Sequence, residues 1–369
     1  MPPEPHASIA SPITLCPATE EALARIPQTP GVFVLHAGSE SRYLAKTNFL
    51  CRRILRAIHM FRLGDVLTSV EYWPTASRFE SSLLHYELAR RLFPENYEKI
   101  ARLARPAYLK VILSNRFPRT QVSTRLSSRA LHVGPFRTRA DAEIFEKAML
   151  ELFQIRRCQE DLAPHPEHPG CIYGEMNMCL RPCQTLVSVE EYGAETGRVV
   201  EFLRTRGKSL LSSTTAARDR FSEEMNFEEA ARQHRVLERI NEVVSMRGAL
   251  AADIDRLYGV AVLPSLAERS VLLQFLWQGA WLPARVFELD RDSGSLDHRL
   301  RDIVESLHPV PLTLLQRQEH LALLSRWFYS SEREGEWLGY DDPANPPWRK
   351  IVRALSRVGG SNSNVNLAQ

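Results

Sequence analysis

The chain has no consecutive apolar stretch approaching the roughly 18 residues that would suggest a membrane span. Its N-terminal residues, MPPEPHASIASPITLCPATEE, lack the basic start and apolar core of a secretory leader. A reducing cytoplasm is the expected compartment, and there clustered cysteines bind metal more often than they form disulfides. Acidic residues are missing altogether from 99–140, which carries Lys99, Arg102, Arg105, Lys110, Arg116, Arg119, Arg125, Arg129, Arg137 and Arg139. The whole chain is only +3, so the remainder is net acidic. Cysteine is scarce, six in 369 residues, yet four lie between Cys158 and Cys183. Cys16 and Cys51 stand alone. A closing Cys-Pro pair is absent, which excludes the bacterial two-cluster ferredoxin pattern.

What is present is ordinary for a soluble globular chain of two or three domains: 44% hydrophobic and 25% charged residues. The four cysteines are spaced C-x12-C-x7-C-x3-C. The wide gap, QEDLAPHPEHPG, has the composition of a loop that returns Cys158 to the others. Thiolates are soft ligands, and this spacing by itself leaves zinc and an iron–sulfur cluster open. Upstream, Gly31 to His36 and Arg42 to Lys46 read as two strands around a GSES turn, followed by a basic helix over 48–61. In the acid-free stretch, YLKVIL, QVSTRL and RALHVG suit a small sheet with one cationic face, which would bind phosphate by counterion release. The run after Pro135 reads as an amphipathic helix with Ala142, Phe145, Met149, Leu152 and Phe153 on one side. Residues 188–245 are helical in pattern, with a hairpin turning at Asn226. Its seam would hold Phe221, Met225, Phe227, Ala230, Ala231, Leu237 and Ile240. Three alternating stretches between 254 and 289 suggest antiparallel strands, 290–357 mixed helix, and 358–369 a disordered tail. The fold class expected is α+β. The divisions expected are a flexible lead-in (1–28), an α/β module (29–98), a basic segment with the cysteines (99–187), a helical region (188–250) and a β region with helices (251–357).

Several of these strings together resemble the UvrC family of excision-repair proteins. Gly31-Val32-Phe33 and Tyr43-Leu44-Ala45-Lys46 stand where that family's GIY-YIG nuclease module has GIY and YIG-K, and Arg53 stands at its helix arginine. FPR at 117–119 and His132-Val-Gly-Pro-Phe136 match its "FPR…YFGPF" pattern, and MNFEEAARQHRVLERI resembles its UVR motif. The resemblance implies metal-assisted phosphodiester hydrolysis, using Tyr43, Lys46 and Arg53, with Mg or Mn held by a glutamate. His85 occupies that glutamate's position, Phe33 lacks a hydroxyl, and Ala45 replaces a glycine. An imidazole suits Mg²⁺ poorly. The resemblance further implies DNA contact through Arg102, Arg105, Lys110, Arg116, Arg119, Arg125, Arg129, Arg137 and Arg139. It implies UvrB as partner of a hairpin presenting Phe221, Met225, Phe227, Ala231 and Leu237. The arginine before the first cysteine and the RPC at the last extend the match, so Cys158, Cys171, Cys179 and Cys183 are expected to ligate a [4Fe–4S] cluster, with structural zinc as the alternative. The family's RNase H-like nuclease and helix-hairpin-helix elements are not legible, so the resemblance runs from about residue 30 to 290. Three functions follow from it: a 3′-incising endonuclease, a non-cleaving DNA- and UvrB-binding adaptor, and a redox-sensitive DNA-binding protein. The oligomeric state is not legible.

Overall fold

A computed structural model describes residues 11–16, 19–38, 40–62, 66–289 and 295–362. The fold is α+β, built from small antiparallel sheets and helices. The chain divides into two compact units. One comprises 1–104, 258–312 and 326–369; the other comprises 105–257 and 313–325.

The first unit opens with β1 (Ile13–Leu15), α1 (Glu20–Ala24), β2 (Gly31–Ala37), β3 (Glu40–Thr47), α2 (Leu50–Met60), β4 (Ser69–Pro74), α3 (Arg78–Leu92) and α4 (Tyr97–Ala101). The sheet order is β1-β4-β2-β3, all antiparallel, with β3 at an edge. Strand β2 reads as an unbroken apolar run because both of its faces are covered. Phe33 and Leu35 pack with α2, whereas Val32 and Val34 pack with Leu88 and Ala89 of α3. Gly31 is required by crowding, since a Cβ there would stand 2.3 Å from the Trp73 carbonyl oxygen. The lead-in expected to be loose is structured from Ile13. Strand β1 pairs with β4, and Leu23 and Ile26 are buried in the α2-side core. Residues 1–10 lie outside the described residues.

The same unit continues with β9 (Tyr258–Pro264), β10 (Ser270–Trp277), β11 (Ala280–Trp281), β12 (Arg285–Glu288), α10 (Leu296–Glu305), part of α11 (Leu314–Phe328), β13 (Glu336–Tyr340) and α12 (Trp348–Asn362). The three expected strands are β9, β10 and β12; β11 and β13 complete the sheet. Helix α12 supplies Ile351, Ala354, Leu355 and Val358 to a core with Val260, Val271 and Phe275. The expected tail is therefore corrected: 358–362 is helical, and Gly359 leaves no Cβ to strike Leu289. Residues 363–369 lie outside the described residues.

The second unit is built on β5 (Ala107–Ile112), β6 (Arg119–Ser123), β7 (Ala130–Phe136) and β8 (Ala252–Asp253), in the order β6-β5-β7-β8. Helix α5 (Arg139–Leu150) starts with a Thr138–Asp141 capping box and lays Phe145 and Met149 on Leu109, Val111, Val122 and Val133. It ends at Leu150, so Leu152 and Phe153 reach the core from a turn rather than from the helix. The short α6 (Ile172–Glu175) lies within the cysteine segment. Helices α7 (Val189–Arg204), α8 (Lys208–Glu223) and α9 (Phe227–Met246) follow, and Tyr192, Val199, Ile240 and Val243 join the same core.

Candidate functional site

Strand alternation decides how the residues of the candidate nuclease site are shared out. Tyr43 and Lys46 are three positions apart on β3, so they face opposite sides of the sheet. Tyr43 lies on the α2 side, between Phe33 and Phe61 (ring centroids 5.9 and 4.7 Å), and its hydroxyl accepts from Arg53 Nη2 at 2.9 Å. Lys46 lies on the α3 side, where Nζ donates to Ser82 Oγ at 2.6 Å. The structure thus pairs Tyr43 with Arg53 and groups Lys46 with His85, but no hydrogen bond joins the two sets among the described residues.

The Lys46–His85 group is cationic and lacks a carboxylate. Burial, then the Arg326 guanidinium, pushes the Lys46 amine down to about 8. Burial, then Lys46 and Arg326, pushes His85 down to about 4, so its imidazole is neutral at pH 7. No acid figures among the charges acting on either group. Sequence reasoning missed Arg326, which stands more than 200 residues downstream of both. It is brought to the same unit by an aromatic junction. Phe79 of α3 stacks on Trp327 (4.5 Å) and meets Trp281 edge-on (5.1 Å), and Arg78 is ion-paired with Glu332.

Glu80, on the first turn of α3, does not serve that group. Its carboxylate accepts from the Ala76 N–H at 2.9 Å, and burial pushes its pKa up to about 7. A raised acid stabilises the fold most below its unfolded value near 4.5 and loses that contribution as pH rises through 7. His85 acts oppositely: its contribution is complete above about 6.5 and is lost as pH falls towards 4. Between 4.5 and 6.5 the two slopes offset each other. Glu80→Gln keeps the acceptor and removes the titration. Its unfolding free energy relative to the parent should therefore improve by on the order of 2–3 kcal/mol between pH 5 and pH 8. Urea titrations across that range check this, and a difference that does not change with pH would sink it.

The basic residues do not form the single cationic face expected of them. By register, Lys110 and Arg119 point away from the α5 core. That face is partly covered by the crossover from β6 to β7: Ser127 N–H donates to His132 Nε2 and Leu126 N–H to Gln318 Oε1. Most of the other arginines stay solvated in loops, whereas Arg139 opens α5 and is ion-paired with Glu143. Arg105 and Arg125 line one cleft of about 290 Å³, together with Leu126, Leu314, Leu315 and Gln318. Arg129 lines another of about 410 Å³ with Ser114, Arg204 and Asp255. Arg116, Arg137 and Arg139 are exposed, whereas Arg119 Nη1 bonds Gln159 in the cysteine segment. Arg102 falls in the first unit, where it closes α4.

The four cysteines lie within electrostatic reach of one another. Cys179 and Cys183 are buried, Cys158 is half-buried and Cys171 exposed. Burial pushes the Cys179 thiol up to about 11, and Cys158, Cys171 and Cys183 each add to the shift. Cys158 is raised for the same first reason, with Cys171 and Cys183 contributing and Arg156 opposing. Four thiols within electrostatic reach of one another resist ionising together unless a positive centre compensates them. Among the described residues no three His, Cys, Asp or Glu side chains close up as ligands of one ion would. The backbone that carries them is nearly devoid of regular structure. It is tied by His165 N–H to the Cys183 carbonyl (2.9 Å), Leu180 N–H to the Gln154 carbonyl (3.0 Å) and Arg181 Nε to the Gly174 carbonyl (2.7 Å).

The α8–α9 hairpin turns at Met225 in the left-handed region and is capped by Asn226, which accepts from the Glu229 N–H. Its seam is closed only at the base, where Leu237, Ile240 and Val243 are buried. Phe221 is half-buried, Ala231 is exposed, and Met225 and Phe227 remain 77% and 68% exposed at the tip. No helix of the described residues is long and apolar enough to cross a membrane.

Comparison with known proteins gives one family-model match, the UvrC/Cho excinuclease middle domain, over residues 107–202. Those residues contain β5–β7, α5 and the four cysteines. The UvrABC system protein C of Moorella thermoacetica is 27% identical over 360 residues, 94% of this chain and 55% of the relative. That of Lachnospira eligens is 24% identical over 277 residues, 71% of this chain and 45% of the relative. That of Clostridium novyi is 21% identical over 368 residues, 95% of this chain and 58% of the relative. The chain thus spans about half the length of the curated relatives it matches. No solved structure matches it.

Proposed function

Because this chain belongs to the UvrC family, we propose that it is a nucleotide-excision-repair protein that binds DNA and UvrB, and that its GIY-YIG-like module grips the phosphate backbone without cleaving it. The observation that carries the second half is the Lys46–His85–Arg326 group. A divalent ion needs hard oxygen ligands, and this group offers a neutral imidazole under the influence of two cations. The same charges favour a phosphate. Tyr43 and Arg53 would position the backbone on the other side of β3 rather than activate water. Arg105, Arg116, Arg125, Arg129, Arg137 and Arg139 supply the sequence-independent attraction, which counterion release makes steeply salt-dependent. The open tip of the α8–α9 hairpin is the surface for UvrB, since a matching apolar hairpin would complete its seam. Cys158, Cys171, Cys179 and Cys183 hold a [4Fe–4S] cluster that serves to close the 158–183 segment.

The test is incision of damaged plasmid with UvrA and UvrB present. No nick is expected with Mg²⁺ or Mn²⁺, while DNA binding persists in EDTA. A metal-dependent nick that Tyr43→Phe abolishes would overturn the adaptor reading and restore the endonuclease one.

A further inference from the structure

Arg156 is 2% exposed, which makes it among the most deeply buried charged side chains described. Its guanidinium makes no ion pair with any carboxylate among the described residues. Nη1 donates to the Glu160 carbonyl at 3.0 Å and approaches Cys158 Sγ at 3.8 Å, and Nε has no hydrogen-bond partner. The backbone holds the residue in place: its N–H donates to the Tyr192 hydroxyl at 2.8 Å, which in turn donates to the Pro118 carbonyl at 2.8 Å. A guanidinium, which does not lose its proton in a protein, costs several kcal/mol to bury without a countercharge. A neutral carbonyl and a neutral thiol do not offset that. Cys158 Sγ is the one sulfur that the guanidinium reaches among the described residues.

We propose that Arg156 is the countercharge of the four-thiolate centre, donating to Cys158 Sγ and raising the potential at which that centre accepts an electron. The inference rests on the cluster reading of the four cysteines. Four thiolates around a [4Fe–4S] core leave a net negative charge, and reduction adds one more. A fixed cation in a low-dielectric surround therefore favours the reduced state, and hydrogen bonds to ligand sulfur act in the same direction. Arg157 lacks this role although it is adjacent in sequence: its Nη2 donates to the Leu150 carbonyl and its guanidinium lies over Tyr173.

The experiment compares the parent, Arg156→Gln and Arg156→Lys after anaerobic reconstitution with iron and sulfide. Iron and acid-labile sulfide per chain are measured first, and the midpoint potential is then followed by dye-mediated titration. Arg156→Gln is expected to load but to be at least tenfold less reduced at a given ambient potential, about 59 mV for a one-electron couple. Arg156→Lys, which keeps the charge, should stay within threefold of the parent. An unchanged potential in Arg156→Gln overturns the proposal while leaving the cluster reading intact. If Arg156→Gln fails to load, loading of Arg156→Lys supports the countercharge and its failure overturns it. A parent that takes up stoichiometric zinc and no iron overturns the cluster reading instead. The countercharge is then read from chelator extraction of zinc: at least tenfold faster from Arg156→Gln supports it, and equal rates overturn it.

Discussion

Replacing Cys183 by serine is expected to leave a colourless protein whose iron falls to background, and to open the 158–183 segment to proteases. The reason is the balance of forces in that segment. Its regular structure amounts to the single turn of α6 and a three-residue helix at Cys183, held by a few backbone and side-chain hydrogen bonds. The free energy of binding a structural metal centre is folding free energy, on the order of 10 kcal/mol for thiolate zinc sites. The hydrogen bonds left behind contribute about 1 kcal/mol each. The β5–β7 sheet should survive, because Phe136, Phe145, Met149 and Val199 form a core that does not depend on the thiols. Iron analysis, limited proteolysis and circular dichroism read the three effects separately. A serine variant that keeps full colour, or resists cleavage between 158 and 183, would refute the ligand assignment.

The second large effect concerns the hairpin. Phe227→Ser together with Met225→Ser should weaken UvrB binding at least a hundredfold while leaving helicity and thermal stability unchanged. Both side chains point into solvent, so the monomer loses almost nothing. Buried at an interface, each would be the kind of anchor whose removal costs about 2 kcal/mol or more. Leu237→Ala is the contrasting control. Leu237 is 7% exposed within the hairpin's own seam, so the loss falls on folding, at roughly 2–5 kcal/mol. Calorimetry with UvrB and thermal melts distinguish the two classes. Unchanged UvrB affinity in the doubly substituted tip would mean that the tip is not the contact surface.

Local pattern made much of this fold legible. The GVFVL and YLAK strings sit in a hairpin because alternation, a turn and a glycine wedged against Trp73 all act within a few residues. The capping boxes at Thr138 and Ser188 mark helix starts by the same short-range logic. What stayed hidden was set by distant contacts. Strand β1 is three residues long and exists because β4 pairs with it. The 358–362 turn of α12, rich in glycine and serine, is helical because the preceding residues are packed against β9 and β10. The division of Tyr43 from Lys46 across the sheet followed from period two, whereas the arrival of Arg326 beside His85 depended on tryptophans with no sequence relation to α3. The basic residues were legible as a composition, but a crossover connection partly covers the face on which they were expected.

The stacking of Phe79 on Trp327 also has a consequence in time. The ring of Phe79 is made roughly 250 residues before its cover, and chain synthesis at about 5–20 residues per second leaves it waiting for on the order of 10–50 s. During that interval β1–β4, α2 and α3 can assemble around Phe33, Ile54 and Leu88, but the N-terminal end of α3 presents an uncovered aromatic to the cell. Ribosomes stalled before Trp281 should therefore hold a nascent chain that recruits chaperones at α3 and releases them once the region after Trp327 emerges.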